Sequence, residues 1–142
     1  VRITFVAVDD EGKKTAVSPR LATAIVDEDV PLGPGVPDVA ATTAFTRTYA
    51  ILPRDENSGR HVSHARLVEH ASEYLRVAAS EKAVGPEAAE AVTSMSIVYE
   101  RETRFPETMH VAIGARAIGA YDVVLSRAAG VVARASIITR AS

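Results

Sequence analysis

Hydrophobic residues recur in two rhythms along this chain. Over residues 64–80, HARLVEHASEYLRVAAS, the positions Leu67, Val68, Ala71, Tyr74, Leu75 and Ala78 fall on one face of a 3.6-residue repeat. The spacing predicts the main helix of the chain, with Ser63 as its N-cap and an end near Gly85-Pro86. The other rhythm belongs to strands. Val1–Val8, VRITFVAV, is rich in β-branched residues and reads as a strand, turned by Asp9–Gly12 into a short return at Lys13–Val17 that Pro19 stops. Ala44–Leu52 alternates as a strand should. After the helix, Val92–Glu102, Met109–Ile118, Tyr121–Arg127 and Val131–Thr139 read as a strand meander, with turns at Phe105–Glu107, Gly119-Ala120 and Ala129-Gly130.

Between the first strands and the rest lies DEDVPLGPGVPDVAATT, residues 27–43, with proline at 31, 34 and 37 and glycine at 33 and 35. Such a stretch is a linker or an extended wrap over the surface. It divides the chain into an N-terminal strand, hairpin and linker over 1–43 and a domain over 44–142. One long helix among strands is an α+β order. The connections are too short for parallel crossovers, so the sheet is expected to be antiparallel, with the helix on one face.

Composition narrows the function classes. A chain of 142 residues can bury a core of its own. A net charge of -2, spread along the chain, lacks the basic stripe of a nucleic-acid binder. No cysteine is present, so disulfides, thiolate metal sites and a cysteine nucleophile are excluded, as suits a reducing cytoplasm. No apolar run approaches the ~18 residues of a membrane span, and Val1–Val8 lacks the basic flank of a signal peptide. The first residue is valine rather than methionine, which suggests a processed or trimmed product.

Candidate chemistry concentrates in RDENSGRHVSHARLVEH, residues 54–70, which holds three of the four histidines. The segment opens polar, turns through Ser58-Gly59 and runs into the helix. Asn57-Ser58-Gly59-Arg60-His61-Val62-Ser63-His64-Ala65-Arg66-Leu67 resembles the loop-to-helix pattern Asp-x-x-Gly-His-Val-Asn-Asn-Ala-Arg-Tyr of the hotdog-fold acyl-CoA thioesterases, of the 4-hydroxybenzoyl-CoA thioesterase type. His61, Val62, Ala65 and Arg66 match it. Arg60 replaces the glycine, with Gly59 one place earlier, and Ser63 and His64 replace the asparagine pair. The later run of strands and glycine turns is also similar, so the resemblance covers roughly residues 44–140. It implies an α+β hotdog fold, a long central helix wrapped by an antiparallel sheet.

Phe5-Val6-Ala7-Val8-Asp9-Asp10-Glu11-Gly12-Lys13 is similar to the closing strand of another branch of hotdog thioesterases. Residues 1–18 are then either the tail of a preceding hotdog unit or an added hairpin.

The resemblance implies hydrolysis of an acyl or aroyl thioester of coenzyme A or of an acyl-carrier protein, in lipid or polyketide metabolism. Backbone N–H groups at the start of the helix would polarise the thioester carbonyl, aided by the helix dipole. Coenzyme A enters as part of the substrate, and no separate cofactor or metal is expected. The family's acid is an aspartate at the position of Asn57. An amide neither takes a proton nor attacks as a carboxylate, but it can orient a water. Asn57, His61, His64, Asp55 and Glu69 are therefore the catalytic candidates, and Gly59, Val62, Ala65 and Arg66 the substrate-binding ones.

Each candidate has a plainer reading. Asp55 fits a turn or cap residue. Glu69 and Glu73 fit a solvated helix face, Ser72 standing where a helix-borne family acid would align. His61 fits a hydrogen-bonded residue that fixes the loop. His61, His64 and His70 lack the spacing of a metal site. Arg101, Arg104, Arg116 and Arg127 could receive coenzyme A phosphates or be ordinary surface charge. A lone hotdog unit leaves a sheet edge open, so a homodimer or higher homo-oligomer is expected. The rival functions are an acyl-thioester dehydratase on the same fold and a non-catalytic acyl-thioester binding protein.

Overall fold

The computed structural model describes the backbone of Arg2–Ile3 and residues 42–140. The expected hairpin and linker over 1–43, with the question of a preceding unit, lie almost wholly outside the described residues. Six strands and one long helix make up the rest: β1 (Arg2–Ile3), β2 (Phe45–Ala50), α1 (His64–Ser80), β3 (Val92–Tyr99), β4 (Thr108–Ala117), β5 (Ala120–Arg127) and β6 (Gly130–Thr139). The strands form one sheet in the order β1-β3-β6-β5-β4-β2. Every neighbouring pair is antiparallel except the short β1, which runs parallel to β3.

This order departs from a simple meander. β4, β5 and β6 follow one another, but β3 pairs with β6. Residues 100–107 must therefore carry the chain across three strand spacings, about 14 Å at ~4.8 Å each. The ladder ends at Tyr99 rather than at Glu102, because the N–H groups of Glu100 and Arg101 both turn to the carbonyl of Val132. The crossing brings this segment against the loop that precedes α1: Val62 N–H donates to Thr103 O at 2.8 Å, and Phe105 N–H to a Glu56 carboxylate oxygen at 2.8 Å.

α1 has the start the sequence predicts. The Ser63 hydroxyl accepts the N–H of Arg66 at 3.2 Å, the bond an N-cap serine is chosen for. The helix stops at Ser80, earlier than Gly85-Pro86. Lys82 takes a left-handed φ of 58° just beyond Glu81 and reverses the chain, and Pro86–Ala89 forms a separate 3₁₀ turn. Leu67, His70, Ala71, Leu75 and Ala78 are its buried residues, and it packs across β4 and β5. Alternation on those strands supplies the facing surface: Met109, Val111 and Ile113 on β4, and Tyr121, Val123 and Leu125 on β5. Ala71 and Ala78 are fully buried, which lets the helix lie close against the sheet. No helix among the described residues is long and apolar enough to cross a membrane.

Candidate functional site

The loop over 51–63 crosses the N-terminal end of α1. Pro53–Asp55 makes one 3₁₀ turn, and a single antiparallel bridge joins Glu56 to Val62. Inside that bridge Asn57 N–H donates to His61 O at 2.9 Å, Arg60 N–H donates to Asn57 O at 3.0 Å, and Arg60 adopts a left-handed φ of 57°. The Asn57 side chain closes the turn. Its Oδ1 accepts Gly59 N–H at 2.9 Å, and its Nδ2 lies 3.1 Å from His61 Nε2.

That first bond fixes which end of the amide faces the imidazole. With Oδ1 on the Gly59 N–H, Asn57 can only donate to His61, so His61 accepts at Nε2. In the neutral ring the proton then sits on Nδ1. Gly59 is required by the same packing. A Cβ there would stand 2.9 Å from His61 Cε1 and 3.2 Å from Asn57 Oδ1.

His64 opens α1 on the side of β3. Its ring stacks on Tyr99, with centroids 3.8 Å and planes 13° apart, and the Tyr99 hydroxyl donates to the His64 carbonyl at 3.2 Å. Partial desolvation of the exposed His64 ring holds it below the usual histidine range, the charge of His61 adds to this, and the carboxylate of Glu102 opposes both. Burial pushes the Tyr99 phenol up to about 12, so it remains a neutral donor at working pH. Among the first N–H groups of the helix, Arg66 and Leu67 are taken by the Ser63 hydroxyl and carbonyl. The N–H of Ala65 has no acceptor among the described residues.

Asp55 lies on the other side of the helix start and is buried, at 5% exposure. Its Oδ2 accepts Leu52 N–H at 2.8 Å, its Oδ1 accepts Arg66 Nε at 2.8 Å, and His70 Nε2 is 3.7 Å from that same oxygen. Burial would raise its carboxyl, but the Leu52 N–H, the Arg66 guanidinium and His70 outweigh it and hold the group below the usual range. Arg66 also pairs with Glu69, and Glu73 is 3.9 Å from it. His70 Nδ1 bonds the Tyr49 hydroxyl at 2.9 Å.

Of the residues singled out from sequence, the structure thus brings together Asn57, Gly59, His61, His64 and Ala65 at the helix start. Val62 is 3% exposed and points into the core. Arg66 is committed to carboxylates, and Glu69 sits with it on an outward ion-paired face. Asp55 takes the turn-residue role. Arg116 and Arg127 pair with Asp122 and Glu107, whereas Arg101 and Arg104 have no ion pair among the described residues. Arg60 is likewise unpaired and stands in the Asn57–His61 turn. No group of three potential metal ligands occurs among the described residues.

Sequence reasoning missed Tyr49, Tyr99 and Glu102 and undervalued His70. His70 does sit on the buried stripe, three residues after Leu67, and a polar residue there calls for partners. Tyr99 ends β3 and Glu102 lies in the crossing that follows, and no local pattern marks them.

No family model matches the sequence, and no curated protein matches it. Solved structures do share the fold, which is the hotdog fold. An acyl-ACP thioesterase from Bacteroides thetaiotaomicron superposes with a TM-score of 0.68 at 16% identity, over 92% of this chain and 51% of its own. A thioesterase from Thermus thermophilus, in complex with coenzyme A and zinc, gives 0.60 at 13% identity, over 70% and 80%. YbaW, a probable thioesterase from Escherichia coli, gives 0.56 at 18% identity, over 65% and 77%. The present chain spans about half the length of the Bacteroides protein. At these identities the likeness is one of fold.

Proposed function

We propose that the chain is an acyl-thioester hydrolase acting on acyl-CoA or acyl-carrier-protein substrates. The observation that carries this reading is a pairing at one helix end: an unclaimed Ala65 N–H beside a side-chain loop, Asn57–His61, built as a rigid polar unit. A thioester oxygen on that N–H would gain from the partial positive charge of the helix N-terminus, and more so as it becomes an oxyanion. Solved hotdog structures of an acyl-ACP thioesterase and of a thioesterase holding coenzyme A support the same reading.

The chemistry divides among named groups. His61 uses its Nε2 lone pair on Asn57, so it fixes the amide. Asn57 has further hydrogen-bonding capacity with which to hold a water over the carbonyl carbon. Glu102 is exposed and precedes Thr103, whose carbonyl accepts the Val62 N–H beside the helix start, so it is assigned the role of the carboxylate that residue 57 lacks, as general base toward that water. Collapse of the tetrahedral intermediate expels the thiolate, which leaves as the thiol. Arg60, Arg101 and Arg104, which have no ion pair among the described residues, meet the phosphate of the phosphopantetheine arm. A second copy of the chain, packed on the sheet surface where β3 exposes Val92 and Val98, completes the acyl groove.

The amide at position 57 favours one other reading, a protein that binds acyl thioesters without cleaving them. Thiol release measured over a panel of acyl-CoA and acyl-carrier-protein substrates decides between the two. Turnover supports hydrolysis, and saturable binding without turnover supports the binder.

A further inference from the structure

One buried carboxylate is not used by this mechanism and yet touches every element that surrounds it. Asp55 accepts from Leu52 in the turn after β2, from Arg66 in the first turn of α1, and faces His70 in the second turn. His70 carries the chain of contacts on to Tyr49 of the edge strand β2, at 2.9 Å. Tyr49 packs edge-on against His70 and stacks on Tyr74, with centroids 4.8 Å apart. The loop, the helix and the sheet edge are thus tied at a point two residues before Asn57. The next tie, Glu56 to the Phe105 N–H, fixes the other side of the loop.

From this we infer that Asp55 is a positioning residue. Its ionised carboxylate sets where the Asn57–His61 unit stands relative to the start of α1, and it does so through Arg66 and His70. Both carboxylate oxygens are engaged inside the protein, so Asp55 does not reach substrate. Arg66 is its anchor and not a substrate contact. The inference rests on the reading of residues 57–65 as the site. It adds that the aim of that site is determined by a charge pair on the opposite flank of the helix.

The test compares wild type, Asp55→Asn, Arg66→Lys and Arg66→Met. Asp55→Asn keeps the shape and an acceptor for Leu52 but removes the charge that Arg66 and His70 face. Positioning predicts kcat lower by ~10-fold, as a sub-ångström misplacement can cost, with KM within about 2-fold on the same argument. It predicts an unmoved pH profile and faster amide exchange over residues 57–65, with β5 and β6 unchanged. Arg66→Met should reproduce the pattern and Arg66→Lys restore part of it, which also covers the case of an Asp55→Asn protein that does not fold. A loss in Asp55→Asn of more than ~1,000-fold with a displaced acid limb would make Asp55 a reacting acid and overturn the inference. Unchanged kcat and unchanged exchange in all variants would reduce the network to packing and overturn it too. If no thioester is cleaved by the wild type, the hydrolase reading fails while the exchange pattern still decides whether the pair orders the loop.

Discussion

The ring of Tyr99 lies flat on the imidazole of His64, 3.8 Å between centroids, although one ends β3 and the other opens α1, 35 residues apart. The stack covers one face of an otherwise exposed His64, and that partial desolvation is the first cause of its lowered proton affinity. Replacing Tyr99 by alanine should expose the ring and move its titration midpoint upward, toward 6.5. Glu102→Gln should move it further down, since the carboxylate favours the charged form. Both shifts are read from the imidazole proton resonances over a pH series. A His64 midpoint that ignores Glu102 would separate the two groups and remove Glu102 from the site.

The bond from Asn57 to His61 predicts a tautomer. In the wild type His61 Nε2 accepts, so its nitrogen resonance should be that of an unprotonated ring nitrogen. In Asn57→Asp the carboxylate can only accept, and Nε2 should become the protonated nitrogen. Nitrogen-15 spectra of the two proteins check this directly. In the same loop Gly59→Ala must push His61 or Asn57 aside, given the 2.9 Å approach to Cε1. It should lower kcat much more than it lowers the melting temperature.

Acid should destabilise the fold in a defined window. Burial, and after it the Arg66 charge, lowers the proton affinity of His70 in the folded state. Below 6.5 the unfolded chain then binds protons that the folded chain does not, so stability falls as pH drops from 6.5 toward the folded value. Asp55 acts lower still. Its carboxyl is held below 3.8, so its contribution is present above that pH and is lost as pH falls through the folded value. Urea titrations from pH 7 to 4 should show the first slope, and His70→Asn should flatten it. An identical slope in that variant would assign the effect to other groups.

Substrate phosphate should discriminate the arginines. Arg60, Arg101 and Arg104 have no ion pair among the described residues, while Arg116 and Arg127 are held by Asp122 and Glu107. Arg104→Ala combined with Arg60→Ala should raise KM for acyl-CoA by ~10-fold, about what loss of charged hydrogen bonds of 1.5–3 kcal/mol allows. The KM for acyl-pantetheine, which has no phosphate, should not change. Arg116→Ala should cost stability and leave both KM values alone. Equal KM changes for the two substrates would show that these side chains do not read phosphate.

Local pattern revealed one part of this protein and concealed another. The helix starts where its stripe and Ser63 cap predict, because both signals lie within a few residues of each other, but it ends at Ser80, short of the Gly85-Pro86 signal, where Lys82 turns left-handed. The four later strands fall within a few residues of their expected ends for the same reason. Their order does not follow from any local signal. That β3 pairs with β6 is settled by which faces can be buried together, and alternation is silent on it. The candidate loop was legible because its residues are contiguous and resemble a known pattern. Tyr99 and Glu102 were not, since the end of β3 and the crossing that follows it meet the helix start only in the folded sheet. Asp55 was legible as a turn residue, but its pairing with Arg66 and His70 needed the helix in place.

The central claim is that the N-terminus of α1 and the Asn57 loop cleave a thioester. The most direct measurement is steady-state thiol release by the full chain from matched acyl-CoA and acyl-carrier-protein substrates, with Asn57→Ala and Glu102→Gln alongside. The account predicts turnover by the wild type and a fall in kcat of at least ~100-fold in Glu102→Gln, the range typical of a lost general base. It predicts a smaller fall in Asn57→Ala. A folded wild-type protein that binds acyl thioesters and releases no thiol would contradict it, as would turnover that neither substitution changes.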